Sequence, residues 1–309
     1  MKHVRSLEDV QLNQAWVTIG AFDGVHLGHQ AIIRKLTAGA HAQGAPAVVL
    51  TFDPHPTAVL RPERMPPLLS SPDEKADYLN ELGVDVLVTH PFTHEFAQVT
   101  AEKFVQQLLE HLGMRQLWVG YDFAMGRNRQ GNITALQAFG EALGFTLHVV
   151  GAQANGQAVI SSSRIRALLA EGDVDKASML LGRPYRLCGD VIQGAQRGRT
   201  IGIPTANIQV PITRATPGTG VYVCEARVGG IVRRAAVNIG KRPTFELADV
   251  PISVEAHLLD YAGDLYGQTL ELAFLSRLRG EQKFDTVDAL IAQIREDVEA
   301  ARTFSNPHA

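Results

Sequence analysis

At 309 residues the chain is too long for one ordinary domain and suits two, each with a core of its own. Its hydrophobic content of 45% and charged content of 20% are typical of a globular α/β protein, which excludes disordered and fibrous classes. The net charge of −3 supplies no basic field for nucleic acid, and no apolar run reaches the length that crosses a membrane.

The cysteines and the N-terminal segment indicate the cellular compartment of the protein. Cys188 and Cys224 have no Cys-x-x-Cys spacing, which is typical of ordinary thiols in a reducing compartment. The polar first residues contain no apolar signal core. We therefore expect a cytoplasmic protein, and the sequence specifies no oligomeric state.

The N-terminal half is predicted to alternate between strands and helices. Apolar runs with β-branched residues predict strands over 16–19, 47–52, 84–88, 116–119 and 146–150. Periodicity and capping residues predict helices just after residue 28 and over 72–82, 100–112 and 136–143. Such alternation predicts a parallel sheet covered on both faces, with ligands bound beyond the carboxyl ends of its strands.

The stretch GAFDGVHLGH, residues 20–29, joins the first predicted strand to the first helix. At such a junction unpaired backbone N–H groups and the positive end of the helix dipole favour an anion. The three glycines allow the backbone to approach that anion closely. His26 and His29 can donate hydrogen bonds to phosphate oxygens, although histidines can also merely cap a loop.

Three further segments follow predicted strands and are candidates for ligand binding. They are FDPHP over 52–56, GYDFAMG over 120–126 and SSSRIR over 161–166. In the last of these the serines can cap a helix and the arginines can reach phosphates. A serine run is also a common helix cap without any ligand.

Around Arg183 the helical pattern gives way to short strands separated by turn residues, so we place a domain boundary there and predict domains over 1–183 and 184–309. Strands are predicted over 220–226, 231–238, 252–259 and 269–278, the first two forming a hairpin across Gly229 and Gly230. Closely spaced strands predict a small barrel. An amphipathic helix from Thr286 onward would pack on it.

A glycine-rich stretch over 189–207 ends in PTAN and predicts a second phosphate site. Its glycines permit a flap over phosphates, although a flexible surface loop is the alternative. Thr205 and Asn207 alternate along one face of a strand, so their oxygens can address one hard cation such as Mg²⁺.

These motifs resemble known families. The His-x-Gly-His of residues 26–29 and the serine motif over 161–166 resemble the class I nucleotidylyltransferases, and the FDG over 22–24 narrows the likeness to flavin adenylyltransferases. The PTAN stretch, NIGKRPTF over 238–245, and VEAHLLD over 254–260 with the following DLYG resemble riboflavin kinase. The order of the motifs over most of the chain resembles the bacterial bifunctional riboflavin kinase/FMN adenylyltransferase family, also called FAD synthetases.

The resemblance implies a fold and two reactions. The fold is an N-terminal Rossmann-like nucleotidylyltransferase domain with a parallel sheet, then a small antiparallel β-barrel riboflavin kinase domain with a C-terminal helix. Riboflavin would be phosphorylated to FMN, and FMN adenylylated to FAD with release of pyrophosphate. ATP is then the co-substrate, Mg²⁺ the cofactor, and small molecules the partners, with neither nucleic acid nor membrane.

The resemblance also implies the roles of individual residues. The catalytic set is Glu255, as the base that receives the riboflavin hydroxyl proton, with His26, His29 and Arg166. The ligand-binding set is Gly20, Phe22, Asp23, Gly24, Gly28, Phe52, Pro54, Pro56, Asp122, Ser161, Ser162, Ser163, Gly194, Gly198, Gly202 and Arg242. Thr205 and Asn207 would hold the metal. Met125, Ser163 and Gln193 depart from the residues that are usual at these positions of the family.

Two alternatives compete with this interpretation. An aminoacyl-tRNA synthetase-like enzyme shares the His-x-Gly-His, but it predicts a lysine-rich second motif and a basic RNA-binding face, and the sequence has neither. A flavin-binding sensor or storage protein without catalysis would retain the fold but not the reactive residues. Without the resemblance, Glu255 could equally be a residue at the edge of a barrel.

Overall fold

The computed structural model describes residues 1–155, 158–194, 203–241 and 252–305. The chain forms two compact units, Met1–Ser162 and Ser163–Ala309. Three predicted ligand-binding positions, Gly198, Gly202 and Arg242, lie outside the described residues.

The first unit is built on a six-stranded sheet in which every neighbouring pair is parallel. Its strands are β1 (Lys2–Val4), β2 (Trp16–Ile19), β3 (Ala47–Asp53), β4 (Val86–Pro91), β5 (Gln116–Gly120) and β6 (Thr146–Val150). Its helices are α1 (Leu27–Ala42), α2 (Pro56–Leu60), α3 (Pro72–Glu81), α4 (Ala101–Leu112) and α5 (Ile133–Leu143). A short hairpin of β7 (Ala154–Asn155) and β8 (Ala158–Val159) follows.

Helices cover both faces of this sheet, as the alternating pattern predicts. Val48 and Leu50 belong to the core that contains α4 and α5 residues, whereas Val49 between them packs with α1 and α3 residues on the other face. Successive side chains of a strand point to opposite faces, so a continuous apolar run is required when both faces are buried.

The strand order is β1-β4-β3-β2-β5-β6. From β2 the chain adds β3 and β4 on one side and then returns to add β5 and β6 on the other. The loops that leave β2 and β5 therefore diverge and open a crevice at the carboxyl ends of these two strands. The predicted motifs over 20–29 and 120–126 both lie there.

The second unit contains a closed barrel with antiparallel neighbours throughout and the order β10-β13-β12-β11-β14-β9. Two helices precede it, α6 (Ser162–Glu171) and α7 (Val174–Leu181), and α8 (Val287–Thr303) follows it. Its strands are β9 (Tyr185–Ile192), β10 (Ala206–Gln209), β11 (Gly220–Val228), β12 (Ile231–Lys241), β13 (Ile252–Leu258) and β14 (Thr269–Arg279). Among the described helices, none is both long and apolar enough to span a membrane.

A pair of glycines forms the hairpin turn between β11 and β12. Gly229 and Gly230 have φ values of 51° and 81°, the left-handed pair that a two-residue hairpin turn requires, and they join β11 to β12 as predicted.

The helices α6 and α7 belong to the compact unit of the barrel, where Arg277 of β14 donates to the Glu171 carbonyl at 3.1 Å and Ser276 donates to Asp175 at 3.2 Å. The domain boundary predicted at Arg183 remains a prediction.

Candidate active sites

His26 and His29 lie at the start of α1, beyond the end of β2. His26 is the N-cap of the helix, and its Nδ1 accepts the backbone N–H of His29 at 3.3 Å. A neutral His26 that accepts at Nδ1 carries its proton on Nε2, which makes Nε2 a donor. The two imidazole rings are stacked with centroids 3.6 Å apart.

His29 is held in its neutral form. Burial lowers its pKa well below the usual range, and the neighbouring His26 and Lys75 lower that pKa further. Its Nδ1 is enclosed, and no described residue provides a hydrogen-bond partner for it. With the proton on Nε2, the ring can donate one hydrogen bond to a phosphate oxygen.

The loop between β2 and α1 has an uncommon backbone. Phe22, Gly24 and Val25 have positive φ values of 47°, 77° and 39°. For a β-branched residue such as Val25 this conformation costs free energy, so the surrounding structure must hold it in place.

The carboxylate of Asp23 provides part of that support. It is buried and accepts the backbone N–H groups of Leu69 at 2.9 Å and Ser70 at 3.2 Å. The Gly24 N–H in turn donates to Ser70 Oγ at 3.1 Å. Asp23 therefore ties the loop to the segment before α3, and its predicted contact with a ligand remains a prediction.

The predicted serine motif lies beside this loop. Ser162 Oγ donates to the Asp23 carbonyl at 3.0 Å. A Cβ added at Gly28 would lie 3.8 Å from the Ile160 carbonyl, so the two segments are close neighbours. Ser161 is partly buried, Ser163 is exposed, and Arg166 lies further along α6; their roles at a nucleotide remain predictions.

A cavity of about 1150 Å³ opens at the carboxyl ends of the strands. Its lining includes four of the residues predicted to bind a ligand, namely Gly20, Phe52, Pro56 and Asp122. Pro54, predicted for the same role, is not among the described lining residues. Its walls combine aromatic rings with arginines.

Other lining residues lie outside the predicted segments. They include Phe92, Phe96, Phe104, Arg61, Arg64, Arg127 and Arg129. Phe52 packs against Phe92 and Phe96 with ring centroids 5.4 and 5.7 Å apart. Because Phe92 and Phe96 follow β4, the rule that ligands bind beyond strand ends would have indicated them, had it been applied to that strand as well.

In the barrel, three polar side chains form a row across neighbouring strands. Glu255 of β13 is directly opposite Asn207 of β10 and Asn238 of β12. Val254 and Ala256, on either side of Glu255, are buried and point to the other face. Residues directly opposite each other share a face of the sheet, so the carboxylate lies between two carboxamides.

Gly194 and Thr205 flank this row. A Cβ added at Gly194 would overlap the carboxamide of Asn207, so the backbone of Gly194 lies directly on that side chain. Thr205 immediately precedes β10, and His257 Nδ1 donates to the adjacent Pro204 carbonyl at 2.8 Å. The predicted positions Gly194, Thr205 and Asn207 thus belong to one end of β10.

The donor set suits a hard cation. The hydroxyl of Thr205 and the carboxamide oxygen of Asn207 are oxygen ligands of the kind that Mg²⁺ accepts alongside substrate phosphates. The part of the chain that the structure describes has no cluster of three or more His, Cys, Asp or Glu side chains able to hold a metal ion by itself.

A second carboxylate of this motif, Asp260, is already engaged. Its two oxygens accept hydrogen bonds from Arg302 of α8 at 2.7 and 3.0 Å. That pairing lowers the pKa of Asp260. The geometry therefore favours Glu255 over Asp260 as the group that addresses a substrate.

Comparisons with known proteins cover nearly the whole chain. The family model for FAD synthetase matches residues 8–164, and that for riboflavin kinase matches residues 181–305. The bifunctional riboflavin kinase/FMN adenylyltransferase of Haemophilus influenzae is 38% identical over 99% of this chain and 100% of its own. The Escherichia coli K12 protein of the same name is 37% identical, covering 98% of this chain and 97% of its own.

A solved structure is similar over the same extent. It is described as a macrolide-efflux protein from Streptococcus pneumoniae, and it superposes with a TM-score of 0.89 at 31% sequence identity. The superposition covers 98% of this chain and 99% of that one, so both units of the fold have a counterpart there.

Proposed function

Since the chain belongs to the bifunctional riboflavin kinase/FMN adenylyltransferase family and therefore carries both activities of FAD synthesis, we propose how its residues divide the work. Residues 1–183 adenylylate FMN, and residues 184–309 phosphorylate riboflavin. The observation that carries this proposal is the presence of two unlike candidate phosphate sites, one at the start of α1 and one at the end of β10.

In the adenylyltransferase, the α-phosphate of ATP binds at the N-terminus of α1, where backbone N–H groups and the helix dipole favour an anion. His26 and the neutral His29 donate to its oxygens, and Ser161, Ser162, Ser163 and Arg166 contribute further donors, as the resemblance implies. A phosphate oxygen of FMN attacks the α-phosphorus and pyrophosphate leaves, so no covalent enzyme intermediate forms. The protein contributes positioning and stabilisation of developing charge.

FMN occupies the cavity at the carboxyl ends of the strands. Phe52 and Pro56 border the isoalloxazine ring, and the neighbouring Phe92 and Phe96 complete an aromatic wall suited to a flat ring system. Asp122, in the loop after β5, lines the same cavity.

In the kinase, Glu255 receives the proton of the ribityl hydroxyl as that oxygen attacks the γ-phosphate of ATP. Thr205 and Asn207 hold Mg²⁺, which neutralises charge on the nucleotide phosphates when bound. Asn207 and Asn238 on either side of Glu255 restrict where its carboxylate can point. Gly194, Gly198 and Gly202 of the glycine-rich stretch form a flap over the phosphates, and Arg242 of the NIGKRPTF motif is a further ligand-binding residue.

The test is a pair of variants in the full chain, supplied with MgATP and either riboflavin or FMN, with the flavins separated by chromatography. His29→Ala should slow FAD formation from FMN on the order of 10²–10³-fold, since it removes one donor to a charge-developing phosphate. Glu255→Gln should slow riboflavin phosphorylation roughly 10²–10⁴-fold, the usual value of general base catalysis.

Each variant serves as the control for the other. His29→Ala should phosphorylate riboflavin normally, and Glu255→Gln should still convert FMN to FAD. Loss of both activities in one folded variant would refute the division of labour. A single-turnover rate of Glu255→Gln close to that of the unmodified protein would remove Glu255 as the base, and binding of flavin without any product would favour a sensor or storage protein.

A further inference from the structure

Lys75 is a partly buried lysine on α3 to which neither the motifs nor the comparisons assign a role. Its ammonium donates to the Ala21 carbonyl at 2.8 Å and approaches Thr51 Oγ1 at 3.4 Å. Thr51 Oγ1 also donates to the Ala21 carbonyl, at 3.2 Å. The lysine thus reaches from α3 to the first residues of the loop that carries His26 and His29.

That loop is the strained segment of the adenylyltransferase site. Positive φ values at Phe22 and Val25 are unfavourable for side chains of this size and persist only when neighbouring groups enforce them. Residues 69–75 enforce them at three places, through the Lys75 bond to Ala21, the backbone bonds to the Asp23 carboxylate and the Ser70 bond to Gly24.

The support itself is well anchored. Ser71 and Glu74 form a reciprocal capping box at the start of α3, with Ser71 N–H donating to Glu74 at 2.7 Å and Glu74 N–H donating to Ser71 Oγ at 3.1 Å. Tyr78 and Leu79, three and four residues after Lys75, are buried on the same helix face. Packing of that face directs the Lys75 side chain inward.

The charge of Lys75 has defined neighbours. Burial lowers its pKa, while the carboxylates of Asp23 and Asp53 act in the opposite direction and favour the ammonium form. His26 in the loop and Lys75 on α3 are the charged or titratable groups that lower the pKa of His29 in addition to burial. An uncharged side chain at position 75 would therefore raise the pKa of His29.

We propose that Lys75 is a positioning residue for adenylyl transfer: its ammonium fixes the Ala21 carbonyl, and with it the strained loop, and maintains a positive charge behind the histidines that bind phosphate. This inference rests on the proposed function of that loop. An apolar side chain at position 75 would leave the Ala21 carbonyl without a charged donor. It would also remove the positive charge that attracts the nucleotide phosphates.

The test uses two variants of the full chain. Lys75→Gln keeps an amide donor for Ala21 but removes the charge, whereas Lys75→Arg keeps the charge. We expect kcat for FAD formation from FMN to fall about 10²-fold in Lys75→Gln with KM for FMN unchanged, and most of the rate to return in Lys75→Arg. Lys103→Gln, which makes the same change at an exposed lysine near the start of α4, is the matched control and should behave like the unmodified protein.

The pH profile separates positioning from a purely structural role. Protonated His29 would present an N–H at its enclosed Nδ1, where no described acceptor lies, so the loop is competent while His29 is neutral. Activity is then present above the pKa of His29 and is lost as the pH falls through it. Because Lys75→Gln raises that pKa, the acid limb of kcat should move to higher pH, and in Lys75→Arg it should stay in place.

The outcomes distinguish this inference from the proposed function. Full activity and an unmoved acid limb in Lys75→Gln, with His29→Ala inactive, would overturn the role of Lys75 and leave the site intact. Full activity in both Lys75→Gln and His29→Ala would overturn the proposed adenylyltransferase site itself. Lys75→Gln and Lys75→Arg could instead lose activity equally, with no shift of the acid limb and with a lower melting temperature in both. That result would show that Lys75 is only a structural contact.

Discussion

Gly194 is the residue whose missing side chain matters most to the proposed kinase site, because a Cβ there would overlap the carboxamide of Asn207. We expect Gly194→Ala to displace Asn207 by a fraction of an ångström to an ångström, and misplacements of that size cost about 10²-fold in rate. Riboflavin phosphorylation should fall by that factor while FMN adenylylation is unchanged. Gly280→Ala is the matched control, since its Cβ would meet Arg277 only at 3.7 Å, and equal rates in the two variants would contradict the prediction.

At the scale of elements, α8 is held to the barrel by an ion pair that is largely removed from solvent. Arg279 of β14 contacts Asp297 of α8 at 2.7 Å, with side-chain exposures of 16% and 8%. Asp297→Asn leaves the guanidinium buried without its counter-ion, so we expect a loss of about 3 kcal/mol in the free energy of unfolding. Urea denaturation followed by circular dichroism measures the loss, and Glu296→Gln, on the exposed side of α8, should show none.

The same experiment can assign the effect to the second unit. Both tryptophans of the chain, Trp16 and Trp118, lie in the first unit, so tryptophan fluorescence reports on that unit alone. The Asp297→Asn variant should shift the circular dichroism transition and leave the fluorescence transition in place. An equal shift of both signals would contradict a purely local effect.

At the scale of the whole molecule, the compact units divide after Ser162, the first residue of α6, whereas the predicted domain boundary follows α7. Leu169 of α6 and Leu180 and Leu181 of α7 are buried within the second unit. Each fully buried leucine contributes about 1.5–3 kcal/mol. We therefore expect a fragment of residues 163–309 to melt at a higher temperature than a fragment of 184–309, measured by circular dichroism. Equal melting temperatures would show that the two helices add nothing to the barrel.

The sequence by itself determined the class of both units and the positions of most elements. The helix predicted over 100–112 occurs as Ala101–Leu112 with Thr100 as its N-cap, and the strand predicted over 146–150 occurs as predicted. The helix predicted over 72–82 occurs as Pro72–Glu81. These predictions succeed because capping residues and apolar periodicity are local properties that do not depend on distant parts of the chain.

Some elements have no local signal of that strength. β1 has three residues and was not predicted, and α7 and β9 lie where the predicted boundary interrupted the pattern. Their conformations are stabilised by neighbours far along the chain, such as β4 for β1 and β14 for β9. Propensity alone does not specify elements that depend on such pairing.

Only the tertiary structure decided which side chains meet. The sequence indicated Asn207 and Glu255 as separate candidates, and the register of β10 on β13 places them directly opposite each other. A slip of two residues would keep the same side chains on each face of β13 but would place a different residue opposite Asn207, and the alternation within the strand does not exclude that slip. Lys75 likewise looks like an ordinary helical lysine until the fold places the Ala21 carbonyl 2.8 Å from its ammonium. Local periodicity specifies the elements of this protein, whereas register and long-range packing specify the contacts of its candidate sites.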